Sequence, residues 1–206
     1  MPLSVRRSLS IAAFVVWALA VAAGSVVLWS YQNRPGPAAA APAAWPASSS
    51  MPRPAGRPVL VMALHPQCPC SHATIGELER LIAQAAVRPA VHLLFVASPE
   101  VDDAWVRSGL WQTASRIPGV HLTRDDGREA RRFGARVSGQ VLVYDGAGQL
   151  QFSGGITSSR GHEGDNSGRD AITAMLAGRP HAATAFVFGC LLFDGDGDAA
   201  PLVDPA

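Results

Sequence analysis

The chain has 206 residues, 48% of them hydrophobic and 16% charged, which is room for one ordinary domain with an appendage and a core that needs no disulfide staples, so its three cysteines are not read as a scaffold. All 17 cationic residues are Arg, and the lack of Lys excludes a phosphate-loop lysine, a Schiff-base lysine and a pyridoxal-phosphate site. Residues 1–57 carry five Arg and no acid while the rest carries twelve Arg and sixteen acids, a balance without the clustered basic face that nucleic acid requires.

Leu9 to Trp29 is uncharged and mostly Ala, Val, Leu, Ile, Phe and Trp. At 1.5 Å per residue such a helix spans about 30 Å, the thickness of a bilayer core. Arg6 and Arg7 precede it, and Trp29 and Tyr31 fall where an interfacial belt lies. The expectation is a cytoplasmic N-terminus at 1–7, a single transmembrane anchor at 8–31 and everything beyond it on the extracytoplasmic, periplasmic side of the cell membrane. A cleaved signal peptide is the alternative, with Val21-Ala22-Ala23 as its small-residue site. The anchor is favoured because apolar residues continue through Val26, Val27, Leu28 and Trp29. Residues 32–57, rich in Pro, Ala, Ser and Gly, read as an extended tether.

Within 58–180 the pattern changes. Pro58 to Leu64 and Val91 to Ala97 are apolar runs suited to strands buried on both faces of a sheet. Ile75, Leu78, Leu81, Ile82 and Ala85 recur between them at helical spacing, which makes a βαβ unit. A helix is expected over 102–116, a short strand over 120–122 and a helical turn over 127–133. A hairpin follows, with strands at 140–144 and 149–153 around Asp145-Gly146-Ala147-Gly148, and a last helix at 169–177. His92 and His121, alternating with apolar strand residues, read as structural.

Between the first strand and the first helix stands His65-Pro66-Gln67-Cys68-Pro69-Cys70-Ser71-His72. A helix start offers unpaired N–H groups and the positive end of the dipole, both of which favour a thiolate. Cys68 and Cys70 are therefore candidate nucleophiles or soft-metal ligands, with His65, Pro69 and His72 in support. There is no phosphate loop, no paired zinc-type motif and no serine elbow. Residues 154–168 form a long polar loop, with His162 as a candidate acid, base or ligand and Arg160 as a candidate anion contact. Asp194-Gly195-Asp196-Gly197-Asp198 is not a calcium loop, since Ala199 and Pro205 stand where a Gly and a Glu are required; residues 194–206 read as a frayed acidic tail.

The element order and the cysteines at the strand-to-helix turn resemble the thioredoxin fold, and the anchor resembles membrane-tethered proteins of the TlpA and ResA kind. Cys68-Pro69-Cys70, Ser153-Gly154-Gly155-Ile156-Thr157 and Phe188-Gly189-Cys190 also resemble exported RedB-like proteins. The resemblance implies a three-layer α/β/α domain with a central mixed sheet and a thiol–disulfide oxidoreductase that acts on protein disulfides or a membrane redox partner without a cofactor. Two departures stand out. The family separates its cysteines by two residues, whereas here one intervenes: matching Cys70 to the family's second cysteine puts Gln67 at the attacking position, while the preferred match makes Cys68 the attacking thiol, puts Ser71 in the usual resolving position and leaves Cys70 or Cys190 to resolve. Val137-Ser138-Gly139-Gln140 carries no proline where the family has one facing the thiols, which eases metal binding and makes Gly139 a supporting residue. Cys190, on the tail at 181–206, is either a buried structural cysteine, the resolving thiol or a metal ligand. The alternative functions are a Sco-like copper(I) carrier using Cys68, Cys70, Cys190 and His65, and a non-catalytic interaction module.

Overall fold

Val59–Leu64 contains no polar residue, and every one of its side chains is buried. An all-apolar strand is stable only where both sheet faces are covered, and it forms the central strand, β1, of a five-stranded sheet. In the computed structural model, which describes residues 3–37, 40–107 and 109–193, the elements follow in the order α1 (Leu3–Gln32), β1, α2 (Cys70–Gln84), β2 (Ala90–Val96), α3 (Asp103–Val106), α4 (Gly109–Ser115), β3 (Val120–Asp125), α5 (Arg128–Arg132), β4 (Gln140–Tyr144), β5 (Leu150–Gly154) and α6 (Ser167–Leu176). The sheet order is β3-β2-β1-β4-β5. β1, β2 and β3 run parallel, β4 is antiparallel to β1, and β5 is antiparallel to β4.

Alternation along β1 feeds two cores. Leu60, Met62 and Leu64 meet Ile75, Leu78 and Leu81 of α2, Leu110 of α4 and Ile172 of α6. Val59, Val61 and Ala63 face the other way, toward Ala130 of α5, Phe133 and Tyr144. This is the expected three-layer α/β/α arrangement around a mixed sheet, and its order and directions are those of a thioredoxin-like fold.

The second outer layer is thin, and the supposed tether completes it. Instead of an extended spacer, the segment before β1 lies along the domain. Trp45 packs edge-on against Phe133 and Tyr144, with ring centroids 4.8 and 5.4 Å away. The Tyr144 hydroxyl donates to Pro42 O at 3.1 Å, and Ala44 bridges Gln149. Ser49 and Ser50 hydrogen-bond the Glu129 carboxylate, and Met51 is buried. His92 hydrogen-bonds Pro52 O at 3.0 Å and stacks on His121, the structural role expected of both.

Two further differences are local. The helix expected over 102–116 is two, α3 and α4, because α3 ends at Arg107 and Gly109 opens a new helix. The strand expected at 120–122 extends to Asp125 through its parallel pairing with β2. α1 forms a unit of its own and the second unit begins at Pro35. Over Val5–Gln32, α1 is long and apolar enough to cross a membrane, and its large apolar side chains are exposed. Residues 194–206, the expected acidic tail, lie outside the described residues.

Candidate functional site

Topology brings the site together. The antiparallel β1–β4 register pairs Ala63 with Gln140, so the residues entering β4 lie beside those leaving β1. Gly139 N–H donates to Ala63 O at 2.8 Å, and the His65 N–H donates to Ser138 Oγ at 2.7 Å. Gly139 has φ +88°, a conformation that favours glycine, and a Cβ there would stand 3.0 Å from Thr74 Oγ1. Its supporting role is thus to let the chain turn into β4 close against α2.

The chain after α6 returns to the same corner. Residues 183–184 run beside β5, with a parallel bridge from Ser153 to Thr184 and the Ser153 N–H donating to Ala183 O. The tail then crosses to an antiparallel bridge between Val137 and Leu191. Ser138 N–H donates to Cys190 O at 2.8 Å and Leu192 N–H to Arg136 O at 2.9 Å. Leu192 is buried in the second core. Cys190 Sγ lies 3.1 Å from Cys68 Sγ. A covalent S–S bond of about 2.05 Å requires the two sulfurs to close by only about 1 Å.

Cys68 is 2% exposed, in the turn just before α2. Pro69 is the N-cap residue of that helix, with no side-chain cap, and Cys70 begins it. Hydrogen bonds from the Cys190 thiol, the Cys70 thiol and the Ser71 hydroxyl hold the Cys68 thiol far below the ordinary range, and they outweigh the opposing effect of burial. Cys190, which gives its proton to this contact, is pushed strongly up. Cys70 is also raised. The site therefore holds one thiolate, on Cys68, and two thiols.

Behind the thiolate is a pair of hydroxyls that the sequence did not single out as functional. Ser71 Oγ and Ser138 Oγ are 2.8 Å apart and almost fully buried. The His65 N–H can only donate, so Ser138 accepts from it and has its own proton for Ser71, whose proton is then free for the Cys68 sulfur. The signal available in the sequence was a Ser where the resembled family has proline.

The other expected residues divide. The His65 ring meets Trp105 edge-on at 5.9 Å, and burial pushes its pKa down against the pull of the Cys68 thiolate, which leaves it neutral near pH 7. His72 and His162 are exposed. Arg160 reaches the tail, its guanidinium donating to Gly189 O. Among the described residues no group of three or more His, Cys, Asp or Glu side chains is arranged to hold a metal ion.

The loop carrying Arg160 is anchored from beneath. Glu77 of α2 is buried, and its carboxylate receives the Gly164 N–H, Asn166 Nδ2, Arg80 and Arg169. Glu163 also pairs with Arg80 at 2.6 Å. The expected long loop thus has an ionic base against the cysteine-bearing helix.

No family model matches the chain, and no curated protein matches it. Among solved structures, the chain is similar to a hypothetical protein from Sinorhizobium meliloti 1021, with 18% identity, 77% of this chain and 93% of that one covered, and a TM-score of 0.51. It is also similar to an uncharacterized conserved protein from Geobacillus kaustophilus, with 15% identity, coverage of 82% and 94%, and a TM-score of 0.54. The exposed lipoprotein thioredoxin of Streptococcus pneumoniae strain TIGR4 matches at 16% identity over 60% of this chain and 85% of that one, with a TM-score of 0.43. At these identities the likeness is one of fold. The thioredoxin-like fold of the chain is read from its own strand order and directions.

The ionisation of Cys68 has a measurable sign. Its alkylation rate in the full chain is expected to change by less than about tenfold between about pH 5.5 and 8.5, where an ordinary thiol of pKa about 8.5 accelerates by about 500-fold. Iodoacetamide labelling read at Cys68 by mass spectrometry checks this, and a tenfold rise per pH unit contradicts it.

Proposed function

We propose that the chain is a membrane-tethered thiol–disulfide oxidoreductase that uses Cys68 as nucleophile and Cys190 as the resolving thiol. The 3.1 Å approach of the two sulfurs is the observation that carries this reading. The Cys68 thiolate attacks one sulfur of a substrate disulfide, and the other sulfur leaves as a thiolate that takes a proton. Cys190 then gives up its proton and attacks Cys68, which releases the second substrate thiol. The substrate disulfide has gained two electrons, and the protein ends with a Cys68–Cys190 disulfide that an external dithiol of a redox partner must reduce. Run backwards, the same steps oxidise a dithiol.

Cys70 has a smaller part here than the Cys-Pro-Cys motif suggested. Closing Cys68 on Cys70 makes a small strained ring, whereas Cys190 arrives from a separate segment with its sulfur already placed. The domain's location on the extracytoplasmic side rests on α1 together with Arg6 and Arg7, and that compartment is one where disulfides persist.

The test is reduction of insulin disulfides by the full chain in detergent, with dithiothreitol as the reductant. Acceleration over dithiothreitol alone, lost on Cys68→Ser, is expected. Stoichiometric copper(I) binding with no acceleration would overturn the proposal in favour of copper carriage, and unaltered partner capture by a Cys68→Ser chain with neither activity would favour an interaction module.

A further inference from the structure

Cys68 cannot meet a protein disulfide while the tail is in place. It is 2% exposed, and the Cys190 sulfur of the tail stands 3.1 Å from its own. That segment is held mainly through its main chain. Ser138 and Arg136 bond the backbones of Cys190 and Leu192, Gly36 N–H donates to Val187 O, and Arg160 donates to Gly189 O. Its side chains divide: Phe186 is 73% and Leu191 51% exposed, while Leu192 is buried in the second core. Main-chain pairing to a strand-like edge accepts any extended polypeptide that satisfies the few side-chain constraints.

One constraint is severe. A Cβ on Gly189 would lie 1.9 Å from Ser138 O and 2.9 Å from Ser138 C, both backbone atoms that cannot give way. Gly189 does not have a positive φ, so the glycine is there for room and not for conformational freedom. The demand for room belongs to the groove and falls on any segment seated in it. Directly after it comes the residue whose sulfur faces Cys68.

We infer that the edge formed by residues 136–138 is a docking site for an extended client segment that carries a cysteine preceded by glycine, and that residues 186–192 occupy this site until a client displaces them. The inference rests on the oxidoreductase reading and adds to it a substrate class and a gate. Once seated, the client's disulfide sulfur takes the place of Cys190 beside the Cys68 thiolate. Attack forms the Cys68–client disulfide and expels the client's former partner as a thiolate. Return of the tail brings Cys190 to resolve the bond, and the client leaves as a thiol.

The probes are two short peptides, one with Gly-Cys and one with Ala-Cys, each supplied as its mixed disulfide with glutathione to the reduced full chain in detergent. The readout is the initial rate of glutathione release. The Gly-Cys peptide is expected to react about tenfold faster or more, the size of effect that forcing one methyl group into a close-packed contact produces. Gly189→Ala unseats the tail and is expected to speed the Gly-Cys peptide by about tenfold by raising the fraction of open sites. If that variant fails to fold, the comparison of the two peptides on the natural chain decides alone. Equal rates for the two peptides would overturn the docking site while leaving the exchange chemistry in place, and no reaction with either peptide would overturn both.

Discussion

Cys68→Ser is expected to lower disulfide exchange by at least about 10³-fold, because a serine hydroxyl has no ionised form near neutral pH and neither remaining thiol can take over. Cys190 and Cys70 both have raised pKa values, and the contacts that raise them are the ones that favour the thiolate on Cys68. The second and third positions separate the proposed cycle from its nearest competitor. Cys190→Ser keeps a hydroxyl that can hydrogen-bond the Cys68 sulfur but cannot accept it in a disulfide, so the first attack proceeds and the cycle stops. The mixed disulfide then accumulates and is read as the added mass of one substrate. Cys70→Ser removes a weaker contact and is expected to keep turnover within about fivefold of the natural chain. The reverse pattern, with Cys70→Ser stalled and Cys190→Ser active, would move the resolving role to Cys70.

Glu77→Ala is expected to be the most damaging substitution for stability outside the apolar core. The Glu77 side chain is fully buried, and Arg169 beside it is only 12% exposed. Removing the carboxylate leaves that guanidinium only its longer contact with the exposed Asp165, at 3.4 Å, and strips the acceptor from Gly164 N–H and Asn166. Breaking a buried pair in this way costs about 3 kcal/mol, which in a domain of this size lowers Tm by roughly 6–12 °C. Thermal unfolding of the full chain followed by circular dichroism measures it, and a fall under about 2 °C would show that the network contributes little. The loop seated on Glu77 carries Arg160, which holds the tail at Gly189, so the same substitution should also loosen the cover over Cys68.

What was legible in the sequence was local. The apolar runs of β1 and β2, the 3.6-residue period of α2 and the turn residues of the β4–β5 hairpin each depend on near neighbours, and each element formed where expected. The thiol pair at the start of α2 was legible for the same reason. The parts that sequence reading missed are held by partners far along the chain. Trp45 and Met51 lie in a Pro- and Ser-rich stretch with no periodicity, and the partners that seat it, among them Phe133, Tyr144 and Glu129, lie far along the chain. Ser138 becomes part of the site through the register that sets β4 against β1, and the one sign of it at positions 137–140 is the missing proline. Cys190 was singled out as a thiol needing a partner, but its place beside Cys68 depends on the tail pairing with residues 136–138, a main-chain contact with no side-chain signature. Gly189 is the nearest thing to such a signature, and its meaning appears only when Ser138 O is set against it.

The most direct measurement is disulfide mapping of the full chain after mild oxidation. The purified protein, reduced and then exposed to a small excess of glutathione disulfide, is alkylated, digested and read by mass spectrometry. A linked pair of peptides joining Cys68 to Cys190, with Cys70 carrying the alkyl label, is the expected result. A bond between Cys68 and Cys70 with Cys190 alkylated would contradict it, as would three alkylated cysteines.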